Sequence, residues 1–267
     1  MNTAIPKTHG ASCLPFQKTG LPSEIQCLPV VLLHGFGGVA KSWRNIQVQL
    51  QSKCVSIAFD LPGHGEALHW PEIGHAGISA KHVTRSLDAL ELDQVHLVGH
   101  SMGGAVASLI ALRNPKRVAS LTLLSPGGFG PEINGKLLRE FAAASEESAL
   151  SQVLPKFFNA DFKMPKFLIQ TASDQRQRPG QTAALETIVN SILTADGQNT
   201  LPLDDLSALG IPISVIWGEE DRIIPVEQAH RLQPPFKVTT YEAMGHMPHL
   251  EQPTKIIREI FNNMAIS

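Results

Sequence analysis

The chain has 267 residues, with 22 lysines and arginines against 24 aspartates and glutamates, 43% apolar residues and 17% charged ones. These proportions exclude a disordered chain, a coiled coil and an electrostatic binder of nucleic acid, which needs a basic excess. The length admits one large domain or two small ones, and folding would withdraw roughly 73% of the extended surface from water, enough for a core without covalent staples.

In chain order, an apolar strand is predicted at Pro29–Leu33, followed by a glycine-rich stretch from His34 to Gly38 and a helix over Ser42–Gln51. A second strand, Cys54–Asp60, leads through a turn-rich loop to a helix at Ala80–Leu90. The strand Val95–Val98 runs into Gly99, Ser101 and Gly103 and then a buried helix, Met102–Arg113. The strand Ser120–Ser125 ends in a break rich in proline and glycine up to Pro131. About seventy residues without a convincing strand follow. Within them Leu185, Ile188, Val189, Ile192 and Leu193 keep the rhythm of one apolar helix face. The pattern then resumes with strand Ile213–Trp217, helix Val226–Arg231, strand Lys237–Tyr241 and helix Lys255–Met264.

Most of these strands are continuously apolar rather than alternating, which fits a sheet covered on both faces. Strands alternating with helices argue for an α/β fold with a mostly parallel sheet. The expected organisation is a core of residues 1–130 and 201–267 with a helical cap at 131–200. Ligands bind at the C-terminal ends of strands in such sheets, so an insertion there is expected to act as a lid.

The sharpest chemical signal is the G-x-S-x-G pattern of Gly99, Ser101 and Gly103 between a buried strand and a helix. A turn that tight exposes the serine Oγ and places the next N–H at a helix start, where it can donate to a developing oxyanion. Ser101 is the predicted nucleophile. It needs a base and an orienting acid further along the chain, in the order Ser, Asp/Glu, His. Asp221 follows one strand and is preferred to Glu219 and Glu220, while His246 follows the last strand behind Gly245 and is preferred to His249. The oxyanion donors are predicted to be the Phe36 and Met102 amides. His34, Gly35 and His100 are expected around the substrate, with His34 also bracing its loop.

Two other patterns compete less well. Gly35, Gly37 and Ala40 also match G-x-G-x-x-A, with Asp60 ending the next strand, but that acid lies 25 residues after Gly35 rather than about 20. His64, His69, His75 and His82 lack the i, i+4 spacing of a helical zinc pair, so no metal is predicted. Phe141, Phe157, Phe158, Met164 and Phe167 are read as the core of the cap.

Cys13, Cys27 and Cys54 are odd in number and show no C-x-x-C spacing, so neither a disulfide scaffold nor a cysteine zinc site is expected. No apolar run reaches the ~20 residues of a membrane span. The first thirty residues, interrupted by Pro6, Pro15, Lys18, Glu24 and Pro29, do not read as a signal peptide. The expected location is the cytoplasm. The expected partner is a small-molecule acyl substrate, with no cofactor, no nucleic acid and no membrane span, and a homodimer is compatible with the sequence.

The combination of His34 and Gly35, Asp60–Gly65, Gly99–Gly104, Asp221, and Gly245 with His246 resembles the α/β-hydrolase superfamily over nearly the whole chain beyond residue 28. The resemblance implies a helical cap inserted after the sixth strand of that fold and a serine hydrolase activity. Leu123–Gly135 and Val215–Pro225 look like the hydrolase-like domain of acetoin dehydrogenase E2 proteins (dihydrolipoamide acetyltransferases). Those proteins also carry a lipoyl domain of about 80 residues, for which the 33 residues before His34 are too few, so a free-standing hydrolase is expected. The carbon–carbon bond hydrolases of aromatic ring fission share the triad and lid but usually carry Asn where this chain has His100. Three readings therefore stay open: a carboxylesterase-type acyl hydrolase, a carbon–carbon bond hydrolase, and a binding module that retains the triad.

Overall fold

A computed structural model describes residues 13–20 and 27–265. Its seven strands are β1 (Phe16–Thr19), β2 (Val30–Leu33), β3 (Ser56–Phe59), β4 (Val95–His100), β5 (Val118–Leu124), β6 (Ile213–Gly218) and β7 (Lys237–Tyr241). They form one sheet in the order β1-β3-β2-β4-β5-β6-β7, parallel except for β1, which pairs antiparallel with β3. This is the α/β-hydrolase fold. The chain first steps outward from β2 to β3 and then returns to place β4 on the other side of β2. That reversal opens a crevice at the C-terminal ends of β2 and β4. Leu33 of β2 is in register with Gly99 of β4, so the loop after β2 lies beside the turn after β4.

Strand side chains alternate between the two faces of a sheet, and here both faces are buried. Val31, Leu33, Phe59, Leu97 and Trp217 join one apolar cluster; Val30, Leu32, Ala58, Val98 and Ile216 join the other. The first cluster is roofed by α2 (Ala76–Ala89) and α3 (Met102–Arg113). The second is covered by α1 (Arg44–Leu50) and by α11 (Pro253–Met264), whose Ile256, Ile257 and Ile260 form one inward stripe. This double cover is why the strands are apolar without alternation.

Between β5 and β6 lie α4 (Gly135–Ala143), α5 (Glu147–Val153), α6 (Lys166–Arg176), α7 (Gln181–Ile192) and the short α8 (Leu203–Ser207). In α7, Leu185, Ile188 and Val189 are fully buried as the periodicity predicts, and Leu193 lies just past the helix end. Two short helices, α9 (Glu227–His230) and α10 (Pro248–Glu251), complete the described α-helices.

Three expectations are corrected. β1 was not foreseen; its four residues are only partly buried, as befits a sheet edge. Among the described residues the helical segment follows β5. The helix expected from Ala80 begins at Ala76, because the His75 ring Nδ1 accepts the Gly77 N–H and serves as its N-cap. Finally, Cys27 and Cys54 form a disulfide, with Cα atoms 5.5 Å apart, and only Cys13 is free. An odd count forbids pairing every cysteine but not pairing two, and the adjacency of β2 and β3 brings these two together. Disulfides persist in oxidising compartments, so cysteine usage does not speak for a reducing one. No described helix is long and apolar enough to cross a membrane.

Candidate active site

Ser101 occupies the turn between β4 and α3 with φ 52° and ψ −118°, a conformation that a residue with a Cβ rarely adopts. Its surroundings hold it there. The Ser101 N–H donates to Leu124 O (2.9 Å), and its carbonyl accepts from Gly104 (2.9 Å), Ala105 (3.2 Å) and Gly127 (3.0 Å). The flanking glycines are required by close approach: a Cβ at Gly99 would overlap the Gly103 carbonyl, and one at Gly103 would overlap the Leu33 and His34 carbonyls.

His246 and Asp221 arrive from the ends of β7 and β6. The His246 Nε2 lies 3.0 Å from Ser101 Oγ, and its Nδ1 lies 2.7 Å from Asp221 Oδ2. The other Asp221 oxygen accepts the Ile223 and Ile224 N–H groups at 2.8 and 3.0 Å, so the carboxylate is fixed from both sides. The competing acids face elsewhere: Glu219 lies 3.6 Å from His230, and Glu220 accepts the Ala160 N–H. Glu251 also bears on the base, although the sequence analysis did not single it out. Its carboxylate accepts the N–H groups of Gly245 and Met247, on either side of His246, and that of Asn159 from the helical segment.

The rival His249 stacks on Trp43, with ring centroids 4.5 Å apart, and packs against His100. Burial pushes its pKa down to about 3, helped by the neighbouring His246. His100 donates its Nε2–H to the His246 carbonyl (2.6 Å), and burial holds it well below the usual histidine range. Gly35 packs against the same ring, and a Cβ there would meet His100 Nδ1.

The loop after β2 presents the Phe36 N–H, and α3 begins at Met102. Neither N–H has an acceptor among the described residues. The Phe36 loop is tied down by three bonds to the segment after β3. Leu61 N–H donates to His34 Nε2 (3.0 Å), Gly37 N–H to His64 Nε2 (3.0 Å), and Ala40 N–H to Asp60 Oδ1 (2.7 Å). Both histidines donate their Nδ1–H to carbonyls, His34 to Gly35 and His64 to Pro62, so each is a neutral Nδ1–H tautomer. Burial drives both pKa values down, that of His64 to about 4, where Arg176 also repels its charge. Of the two roles expected of His34, the structure shows the brace and not the substrate neighbour: it is 1% exposed and both its nitrogens are committed. Asp60 is likewise turned inward onto Ala40 and Glu66 rather than toward a nucleotide.

Two cavities meet at Ser101, and Phe36 and Leu138 line both. One, of about 290 Å³, follows α3 past Met102. The other, of about 270 Å³, is bordered by Gly35, His100 and His246 and by Phe141, Phe157 and Phe158. Those three aromatics are thus both cap core and cavity wall, whereas Phe167 stands at the rim, 65% exposed.

Residues 30–259 match the alpha/beta hydrolase family. The chain belongs to that family. It is similar to the dihydrolipoyllysine-residue acetyltransferase component of the acetoin cleaving system of Pseudomonas putida, with 34% identity over 233 residues, 87% of this chain and 62% of that protein. The chain thus spans less than two thirds of that relative's length. It is also similar to the 2-hydroxy-6-oxononadienedioate/2-hydroxy-6-oxononatrienedioate hydrolase 1 of Dechloromonas aromatica, with 29% identity over 252 residues, 89% of this chain and 85% of that one. Among solved structures, the 2-hydroxy-6-oxo-6-phenylhexa-2,4-dienoate hydrolase of Rhodococcus sp. strain RHA1 superposes with a TM-score of 0.81 at 22% identity, covering 94% of each chain. An esterase from Exiguobacterium antarcticum gives 0.76 at 19%, covering 94% of this chain and 95% of that one. At those identities the structures share the fold alone.

Proposed function

We propose that this alpha/beta hydrolase is a serine hydrolase that cleaves a carboxylic ester or thioester through an acyl-enzyme on Ser101. The observation that carries the reading is the unbroken hydrogen-bonded series from Asp221 through His246 to Ser101 Oγ, placed where two cavities meet. In this mechanism His246 Nε2 takes the Ser101 proton as Oγ attacks the carbonyl carbon. Asp221 keeps the ring in the Nδ1–H tautomer and stabilises the imidazolium. The free Phe36 and Met102 amides receive the oxyanion. His246 returns the proton to the leaving oxygen or sulfur, and water, deprotonated by the same base, releases the acid. The helical segment of residues 131–200 serves as the lid, its Phe141 and Phe157 closing the cavity beside His246.

The test is hydrolysis of p-nitrophenyl esters from two to twelve carbons by wild type and Ser101→Ala. Turnover by wild type, falling at least a thousandfold in Ser101→Ala, supports the reading. Equal turnover by both would place the nucleophile elsewhere. A second reading, carbon–carbon bond hydrolysis of a ring-fission diketone, is favoured by the name of the Dechloromonas relative. It is separated by following the ultraviolet band of such a diketone, which only that activity would bleach. Saturable ligand binding with no turnover of either substrate type would point to a binding module.

A further inference from the structure

The two cavities at Ser101 are unequal in a way that assigns the arms of the substrate. A tetrahedral carbon on Ser101 has four substituents. One is Oγ, and one is the oxyanion, directed at the Phe36 and Met102 amides. The third is the leaving atom, which must face the proton on His246. His246 lines only the second cavity, so the leaving group belongs there and the acyl chain must run into the first.

The shape of that first cavity follows from its floor. Met102, Ala105, Leu109 and Arg113 all line it, at spacings of three, four and four residues, so they lie on one face of α3. The cavity therefore tracks the helix from its first residue to its last. At ~1.5 Å per residue this is on the order of 16 Å, the reach of an extended chain of about a dozen carbons. Its volume is about 290 Å³. The lining also includes the apolar Ile133, Ile192 and Leu201 and the polar Ser191, Gln198 and Thr200. The far end is marked by Arg113, whose guanidinium donates to Gly77 O at 3.3 Å and is exposed to solvent.

We propose that the groove along α3 is an acyl-chain channel and that the substrate is an ester or thioester of a straight apolar acid of about ten to twelve carbons. The proposal rests on the serine hydrolase reading and goes beyond it by naming the acyl group.

The test uses the full chain, a p-nitrophenyl ester series of two to twelve carbons, and two variants that fill the channel at different depths. Leu109 lies seven residues along α3 from Met102, or ~10 Å, and Ala105 three residues, or ~5 Å. Wild type should peak near ten carbons, Leu109→Trp near six, and Ala105→Phe at four or fewer. The ratio of kcat/KM for decanoate to that for acetate should fall about 250-fold in Leu109→Trp, at about fourfold for each of the four excluded methylenes. The preference among acetate esters of different alcohols should stay the same in Leu109→Trp. Labelling of Ser101 by a short alkyl phosphonofluoridate counts active sites in every protein and does not depend on chain length. Ser101 labelling together with an acetate optimum, or an optimum that neither folded variant moves, would overturn the channel and leave the serine hydrolase standing. Absence of both labelling and ester turnover would remove the serine hydrolase reading and the channel with it. A shift of the alcohol preference instead of the acyl preference would reverse the assignment of the two cavities and overturn the proposal.

Discussion

Lowering the pH from 7 to 5 should cost this protein much of its stability, through histidines that the fold keeps neutral. His64 and His249 are 1% exposed, and burial lowers their pKa values to about 4 and about 3. His34 and His100 are also held well below the ordinary value of 6.5. In the unfolded chain each titrates near 6.5. Between pH 6.5 and about 4 the unfolded state therefore binds protons that the folded state refuses, and stability falls as the pH falls. His64 and His249 each contribute about 2 kcal/mol to the loss between pH 7 and 5, or about 4 kcal/mol together, and His34 and His100 act in the same direction. Total stabilities are about 5–15 kcal/mol, so the effect is large. Asp60, whose pKa burial raises, works in the opposite direction and offsets a part of it near the bottom of the window. The assay is urea unfolding followed by tryptophan fluorescence at about pH 7, 6 and 5, with linear extrapolation to water. His249→Phe, which keeps the stack on Trp43, should reduce the slope between pH 7 and 5 by about 1 kcal/mol per pH unit. A stability that is flat or rises from pH 7 to 5 would refute the reasoning.

Three other outcomes are expected. Asp221→Asn should keep the fold, since its remaining oxygen can still accept the Ile223 and Ile224 N–H groups, yet lower kcat by about 10⁴ by disturbing the His246 tautomer; steady-state kinetics on esters will show it. His64→Phe fills the same space but cannot accept the Gly37 N–H. It should lower kcat about 100-fold at little changed KM, and His64→Gln, which keeps an acceptor, should recover part of that; equal kcat in both would deny the brace a part in aiming Phe36. Alkylation of the denatured chain without reductant, read by mass spectrometry, should label Cys13 alone. Reduction should expose all three thiols and lower stability by about 3.5 kcal/mol for a cross-link spanning 27 residues.

The parts of the site that were legible in the sequence are those that chemistry confines to a local pattern. Gly99 and Gly103 flank Ser101 because their Cβ atoms would meet backbone carbonyls, and that constraint is written into five consecutive residues. Asp221 and His246 follow strands, and the order of strands along the chain narrowed the choice among three acids and eleven histidines. β1 was illegible because a four-residue edge strand with an exposed position carries too little apolar signal. The start of α2 was illegible because a histidine ring, rather than the usual Ser, Thr, Asp or Asn, caps it.

Glu251 and His64 are the instructive omissions. Each acts on backbone groups, through hydrogen bonds from Gly245, Met247 and Asn159 in one case and Gly37 in the other. Backbone N–H groups are present at every residue except proline, so nothing in the side-chain sequence marks which of them needs an acceptor.

By itself the sequence determined the sheet-and-helix alternation, the turn that carries Ser101 and the candidates for its partners, because periodicity and steric exclusion act over a few neighbouring residues. Only the tertiary structure decided that Cys27 meets Cys54, that the His34 brace bonds Leu61, and that a groove along α3 and a cavity beside His246 meet at Ser101. These depend on the strand order, in which β4 returns beside β2 after β3 has taken the other side. Contacts between such segments are set by how whole layers pack, which no local pattern of residues records.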